Sequence, residues 1–508
     1  MELTSKDSPI STGDSPQRPL TSEDVPIRNP SPPPEGILTG EDKSLLEADT
    51  IQNTMFSKHW VFSILMKLLQ QVEKEKNSQT EVDAAEEHDG IDIDEELENE
   101  LCRLWDMTAN VEVAKFLKEW KSPDIFLSVI SKTNAPRITE ICMGVLGNMA
   151  CRSDIRREFS KNQQLIDLSF GLMSGSDAPT MVEASRLIYT CLNDEESAPR
   201  WLETVMKDGD VLRSVTFILQ SSTNSDLIHN VADLLDQLLD LDDGLLQAWS
   251  GPVLIQAITE ALNQISSDRV NTLSLLHHSL QVISTTDSGI DGLVELSEKV
   301  HPLVSSFISD VFEDGVLSMR GRENTLASVI SVLSVMVLRS RDVSKHLAQK
   351  ESRTIKQLTE MLYIIHRKEA SPSSRKLPTN QDAPPAAPAH PNNIHQENVS
   401  SDKQEKRDGG RGDGVLGGGG DGRQGDGRHG DMRKEEEEED QEKVWLTELL
   451  KDQLIDFFCC ILEVAKKDKA LQQRLHACGP KRLQAIADCL PEDRNDLSDL
   501  MGNIQGKS

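Results

Sequence analysis

The segment from Pro136 to Cys151 constrains this chain more than any other. At helical spacing Ile138, Ile141, Cys142, Val145, Leu146 and Met149 share one face, the i, i+3, i+4, i+7 pattern of a packed amphipathic helix. Gly144, Gly147 and Asn148 gather on another side. Glycine costs about 1 kcal/mol in a helix interior relative to alanine, so two of them predict a neighbour whose backbone comes close. A helix with two faces to cover cannot stand alone. The same device returns about 43 residues on, where Asn134-Ala135-Pro136…Glu140 is echoed by Asp177-Ala178-Pro179…Glu183.

Repeats of roughly 40–47 residues built from helices are the mark of armadillo and HEAT solenoids, in which stacked units bury a core that none could hold by itself. The fold expected is therefore all-α, an armadillo/HEAT-like α-solenoid. Helix triplets read from Val111, Asp124 and Pro136, then from Asp154, Leu165 and Met181. Further long helices carry Ile228, Val231, Leu235, Leu238 and Leu239; then Leu273, Leu276 and Leu280; then Leu326, Val329, Ile330, Leu333 and Val337. Asn134, Asp177, Asn224 and Asp268 precede these helices as N-caps would. No window alternates as a strand does.

Composition divides the chain. Residues 1–50 are rich in Pro, Ser and acids and are expected to form a disordered tail. Residues 55–110 read as N-terminal capping helices around an acidic loop at 74–94, with Phe56, Trp60, Ile64, Leu68 and Val72 as an apolar stripe. Armadillo-like repeats are expected over 111–370. Residues 371–442, with glycine and glutamate runs, read as a disordered low-complexity insertion. Helices at 443–490 close the stack, and 491–508 reads as a second disordered tail.

The net charge is −31, and the isoelectric point is near 4.8. Phosphate contacts need clustered Lys and Arg, so nucleic acid is excluded as a partner class, and an anionic membrane surface with it. Proteins with basic segments are favoured electrostatically. Residues 81–100 hold eleven carboxylates and no Lys or Arg. Glu86, Glu87, Asp92, Asp94, Glu95 and Glu96 are the candidate contacts for such a partner. The Asp92-x-Asp94 spacing lacks the loop glycine and distal glutamate of a calcium site.

Eight cysteines without a Cys-x-x-Cys pair, and no secretory start or long apolar run, predict a reduced intracellular protein. No catalytic, cofactor or metal motif is found. His277 and His278 are adjacent on a helix and face different ways, so they read as satisfied or solvated rather than as metal ligands.

The strings Asn29-Pro30-Ser31-Pro32-Pro33-Pro34, Ser57-Lys58-His59-Trp60, Glu98 to Met107, Pro123-Asp124-Ile125-Phe126 and Gly144 to Cys151 occur in an order that closely resembles the serum amyloid A-like (SAAL) family, also named for synoviocyte proliferation. That resemblance implies an armadillo-like, non-enzymatic, nuclear protein that promotes cell proliferation. Armadillo units of the importin-alpha kind carry an asparagine ladder on the third helix, with a tryptophan one turn earlier. Asn148 matches the ladder position. Gly144 stands where the tryptophan would be, and Cys191, Leu238 and Ser279 stand at later rungs. Asn148 is thus either a partner contact or a local inter-helix hydrogen bond, the second being preferred. The function expected is a protein-interaction scaffold. A nuclear-transport or chaperone adaptor that binds basic peptides or an Hsp70-type partner is one alternative, and a regulator of an enzyme is the other.

Overall fold

The computed structural model describes residues 48–79, 93–207, 209–313, 316–319, 321–369 and 427–506. The tail expected at 1–50, but for its last three residues, and most of the insertion expected at 371–442 lie outside the described residues. The chain divides into two compact units, Met1–Thr204 and Val205–Ser508.

In the first unit, α1 (Lys58–Gln79) and α2 (Glu95–Met107) precede two triplets. These are α3 (Val111–Glu119), α4 (Ser122–Ile130) and α5 (Pro136–Ala150), then α6 (Ser153–Phe159), α7 (Gln163–Leu172) and α8 (Ala178–Leu192). Helix α9 (Ala198–Lys207) follows. The long helices α2, α5 and α8 lie side by side in chain order. Asp94, Asn110, Asn162 and Asp177 accept from first-turn amides and set the helix starts. Ile138, Ile141, Cys142, Val145, Leu146 and Met149 are all at most 1% exposed, and each large apolar side chain so buried contributes about 1.5–3 kcal/mol. Trp201 of α9 is fully buried and donates its Nε1 hydrogen to Ser160 Oγ at 2.9 Å.

The second unit holds α10 (Asp210–Ser221), α11 (Ser225–Leu241), α12 (Asp243–Trp249), α13 (Pro252–Gln264), α14 (Val270–Ile283), α15 (Asp287–Glu295) and α16 (Ser297–Asp310). A two-residue antiparallel pair, β1 (Phe312–Glu313) with β2 (Val316–Leu317), comes next. Then follow α17 (Glu323–Arg339), α18 (Arg341–Ala348), α19 (Thr354–Glu369), α20 (Gly427–Ala465), α21 (Lys469–His476), α22 (Pro480–Cys489) and α23 (Asn495–Gln505). Here α11, α14, α17 and α20 form one row, and α10, α13, α16, α19 and α22 a second. The described residues are all-α but for that short β pair and an isolated antiparallel bridge between Thr50 and Ser57, and each unit packs as a helical solenoid does.

Several expectations are corrected. Residues 495–505 form α23 rather than a tail, because Leu497, Met501 and Ile504 make an i, i+4, i+7 stripe that is buried. The helix entering the C-terminal group begins at Gly427, well inside the segment expected as insertion. Its Glu, Lys and Arg residues are strong helix formers, and extending a helix already nucleated at Leu450–Ala465 is cheap. The acidic loop cannot start at 74, since α1 runs on to Gln79. Asn134 and Asp268 are not the caps; Ala135 and Arg269 occupy those positions without a side-chain bond. Within the closing helices expected at 443–490, the chain breaks between α21 and α22, where Gly479 takes a φ of 88° before Pro480.

Candidate functional site

Helix α5 is buried almost all round, and its glycines make room for side chains rather than for a neighbouring backbone. A Cβ on Gly144 would lie 2.1 Å from Trp105 Cε2 of α2, and one on Gly147 would lie 2.7 Å from Arg186 Nη2 of α8. Trp105 and Arg186, from opposite neighbours of α5, therefore key into notches on that helix. Asn148 sits between them. Its Nδ2 donates to Trp105 O at 3.0 Å and to Thr108 Oγ1 at 3.2 Å, and its Oδ1 accepts from Arg186 Nη1 at 3.2 Å. Arg186 also donates to Gly144 O at 3.1 Å and to Glu183 Oε2 at 2.5–2.8 Å. The Asn148 amide thus joins three helices, and a partner backbone would have to displace bonds the chain already makes.

Of the acidic candidates, Glu86, Glu87 and Asp92 lie outside the described residues. Asp94 caps α2, its Oδ1 accepting from Glu96 N at 3.1 Å and Leu97 N at 3.2 Å. Asp94, Glu95 and Glu96 are exposed at that helix start, where the helix dipole favours negative charge. One turn on, the carboxylates turn inward to cations of the chain: Glu100 to Lys67 at 2.7 Å and Glu98 to Arg137 at 2.7 Å.

The thiols are all free. Burial pushes the Cys142 and Cys191 thiols far up and Cys460 up to about 11. Cys489 Sγ lies 3.6 Å from His366 Nδ1, a pair the sequence did not suggest. Burial raises that thiol too, so the thiolate a nucleophile needs is disfavoured.

His277 and His278 do part ways. His277 is buried against Phe307, with ring centroids 4.9 Å apart, and its Nδ1 meets Leu273 O at 2.7 Å. Burial pushes it down to about 4. His278 turns to α11, where its Nδ1 lies 2.8 Å from Asp236 Oδ1, and Ser279 Oγ donates to the same oxygen at 3.1 Å. Asp240, one turn further along α11, completes a group with Asp236 and His278 whose ligand-capable atoms all fall within 4.8 Å of one another. Sequence reasoning missed this group. The available signal was the repeat itself, since residues about 43 apart meet across layers: Trp105 with Asn148, Asp226 with Arg269, and Asp236 with Ser279.

Among the described residues no helix is long and apolar enough to cross a membrane. A family profile described as the SAAL1 C-terminal domain matches residues 211–494. Protein saal1 of Danio rerio is 36% identical over 329 residues, covering 61% of this chain and 68% of that protein. Protein SAAL1 of Mus musculus is 35% identical over 349 residues, covering 64% and 73%. Protein SAAL1 of Homo sapiens is 36% identical over 334 residues, covering 61% and 70%.

Proposed function

The chain belongs to the SAAL1 family, and from that premise we propose that it is a non-enzymatic, armadillo-like protein-interaction scaffold, nuclear and supporting cell proliferation, that takes up basic segments of a partner through its acidic stretch at 81–100. The observation that carries this reading is the exposure of Asp94, Glu95 and Glu96, within a run of eleven carboxylates in a chain of net charge −31. Fields of that kind raise association rates with cationic partners by about 10-fold or more at low salt. Support also comes from two sets of groups that the fold itself occupies, the Asn148 amide and the buried thiols. The Asn148 amide is held at both ends, which gives no encouragement to a peptide-clamping adaptor, and the buried thiols are held neutral.

The experiment replaces Glu86, Glu87, Asp92, Asp94, Glu95 and Glu96 together by glutamine in the full chain and compares proximity labelling in living cells with that of the parent. Loss of a set of Lys/Arg-rich neighbours, together with weaker, less salt-dependent binding of a Lys/Arg-rich peptide by the purified variant, is the expected result. An unchanged set of neighbours rejects the acidic stretch as the docking surface. Turnover of a phosphoester, peptide or nucleotide by the purified chain rejects the non-enzymatic reading.

A further inference from the structure

We propose that Asp236, Asp240 and His278 bind one divalent transition-metal ion, zinc or a close equivalent, at the seam between α11 and α14. Asp236 and Asp240 are four residues apart, so they share a face of α11. His278 reaches them from α14, and the three ligand-capable atoms already lie within 4.8 Å of one another. Zinc bound at about 2.0–2.2 Å in tetrahedral geometry needs its ligand atoms roughly 3–3.5 Å apart. The His278 Nδ1 to Asp236 Oδ1 distance of 2.8 Å is close to that, and Asp240 stands on the exposed side of the group.

Burial is graded in the direction an arriving ion requires. Asp236 is 3% exposed, His278 is half-buried, and Asp240 opens to solvent. Ser279 donates its hydroxyl hydrogen to the same Asp236 Oδ1 that faces His278, the kind of bond that fixes a ligating carboxylate and sharpens affinity. Ligand chemistry chooses the ion. Two carboxylates and an imidazole suit zinc, manganese or cobalt, whereas magnesium and calcium prefer oxygen shells. Three protein ligands leave a coordination position for water. An ion here would cross-link α11 to α14 at a point where side-chain hydrogen bonds now join them.

The test uses the full chain, stripped with a chelator, and Zn²⁺ alone as the probe in calorimetry, with Co²⁺ absorption to report ligation directly. Asp240→Asn is an isosteric change at an exposed position; His278→Gln removes the imidazole. One ion bound by the parent, bound about tenfold more weakly or worse by each variant, is expected. Zn²⁺ and not Mg²⁺ should raise the unfolding temperature of the parent, with little rise in Asp240→Asn. Zinc binding that both variants retain, no zinc binding by the parent, or an equal response to Mg²⁺ would each overturn the site. Should His278→Gln fail to keep parental helicity, Asp240→Asn alone decides.

Discussion

Gly144→Ala puts one methyl where the structure has no space for it. The new Cβ would sit 2.1 Å from Trp105 Cε2 and 2.2 Å from Cζ2, far inside carbon–carbon contact. The indole is rigid, so it must move as a body. Overpacking of this kind costs about 1–3 kcal/mol. Shifting α2 also endangers the Asn148 bond to Trp105 O, worth about 1 kcal/mol. Against this, alanine gains about 1 kcal/mol of helix propensity over glycine. The net expectation is a loss of about 1–3 kcal/mol. Two other glycines calibrate it. Gly171, in α7, would present its Cβ to open space, and at Gly147 the neighbour is the flexible end of Arg186. Urea unfolding of the full chain should therefore rank Gly171→Ala as slightly more stable than the parent, Gly147→Ala as near neutral and Gly144→Ala as clearly weaker. In a Trp105→Leu background the Gly144→Ala penalty should vanish. If Gly144→Ala tracks Gly171→Ala, or keeps its penalty without the indole, the notch is not what holds α2 on α5.

Leu497→Ala and Met501→Ala should each cost about 2–4 kcal/mol, read as a lower thermal midpoint, since both side chains are fully buried; a tail would not notice either change. Burial raises the Asp194 carboxyl, but the Ser197 hydroxyl and the Arg156 guanidinium more than reverse this and hold it below the usual carboxylate range. It therefore adds stability above about pH 4, lost as pH falls through its lower folded value, and Asp194→Asn should show a shallower acid-unfolding curve. His277 works at higher pH. The unfolded chain takes up a proton near pH 6.5 that the fold refuses down to about 4. Stability should therefore fall by about 3 kcal/mol across that window. His277→Leu should flatten this dependence in unfolding curves taken between pH 7 and pH 4.

What the sequence made legible is the face each long helix buries. The stripes at Ile138–Met149 and Leu326–Val337 repeat at helical spacing because burial selects them. What stayed hidden is which neighbour meets which face. Asn148 stands out as a polar residue on an apolar helix, yet Trp105 and Arg186 belong to other periods of the chain and no local pattern names them. The two glycines announced a close approach without saying that side chains make it. Asp236 and His278 were invisible as a pair for the same reason. The stripe at Leu497, Met501 and Ile504 was present but diluted by Asp, Asn and Ser, so average polarity outweighed spacing. In the tract before Leu450, low complexity concealed good helix formers.

The offset at which layers meet carries a consequence for how relatives of this chain can diverge. Positions 105 and 148, 148 and 186, 226 and 269, 229 and 272, and 236 and 278 are each joined by a hydrogen bond. Each pair should behave as coupled columns in an alignment, one member changing when the other does. Inserted or deleted residues should collect in the connections between helices, because a single extra residue within α5 or α11 would rotate every later rung by about 100° and break its correspondence with the neighbouring layer.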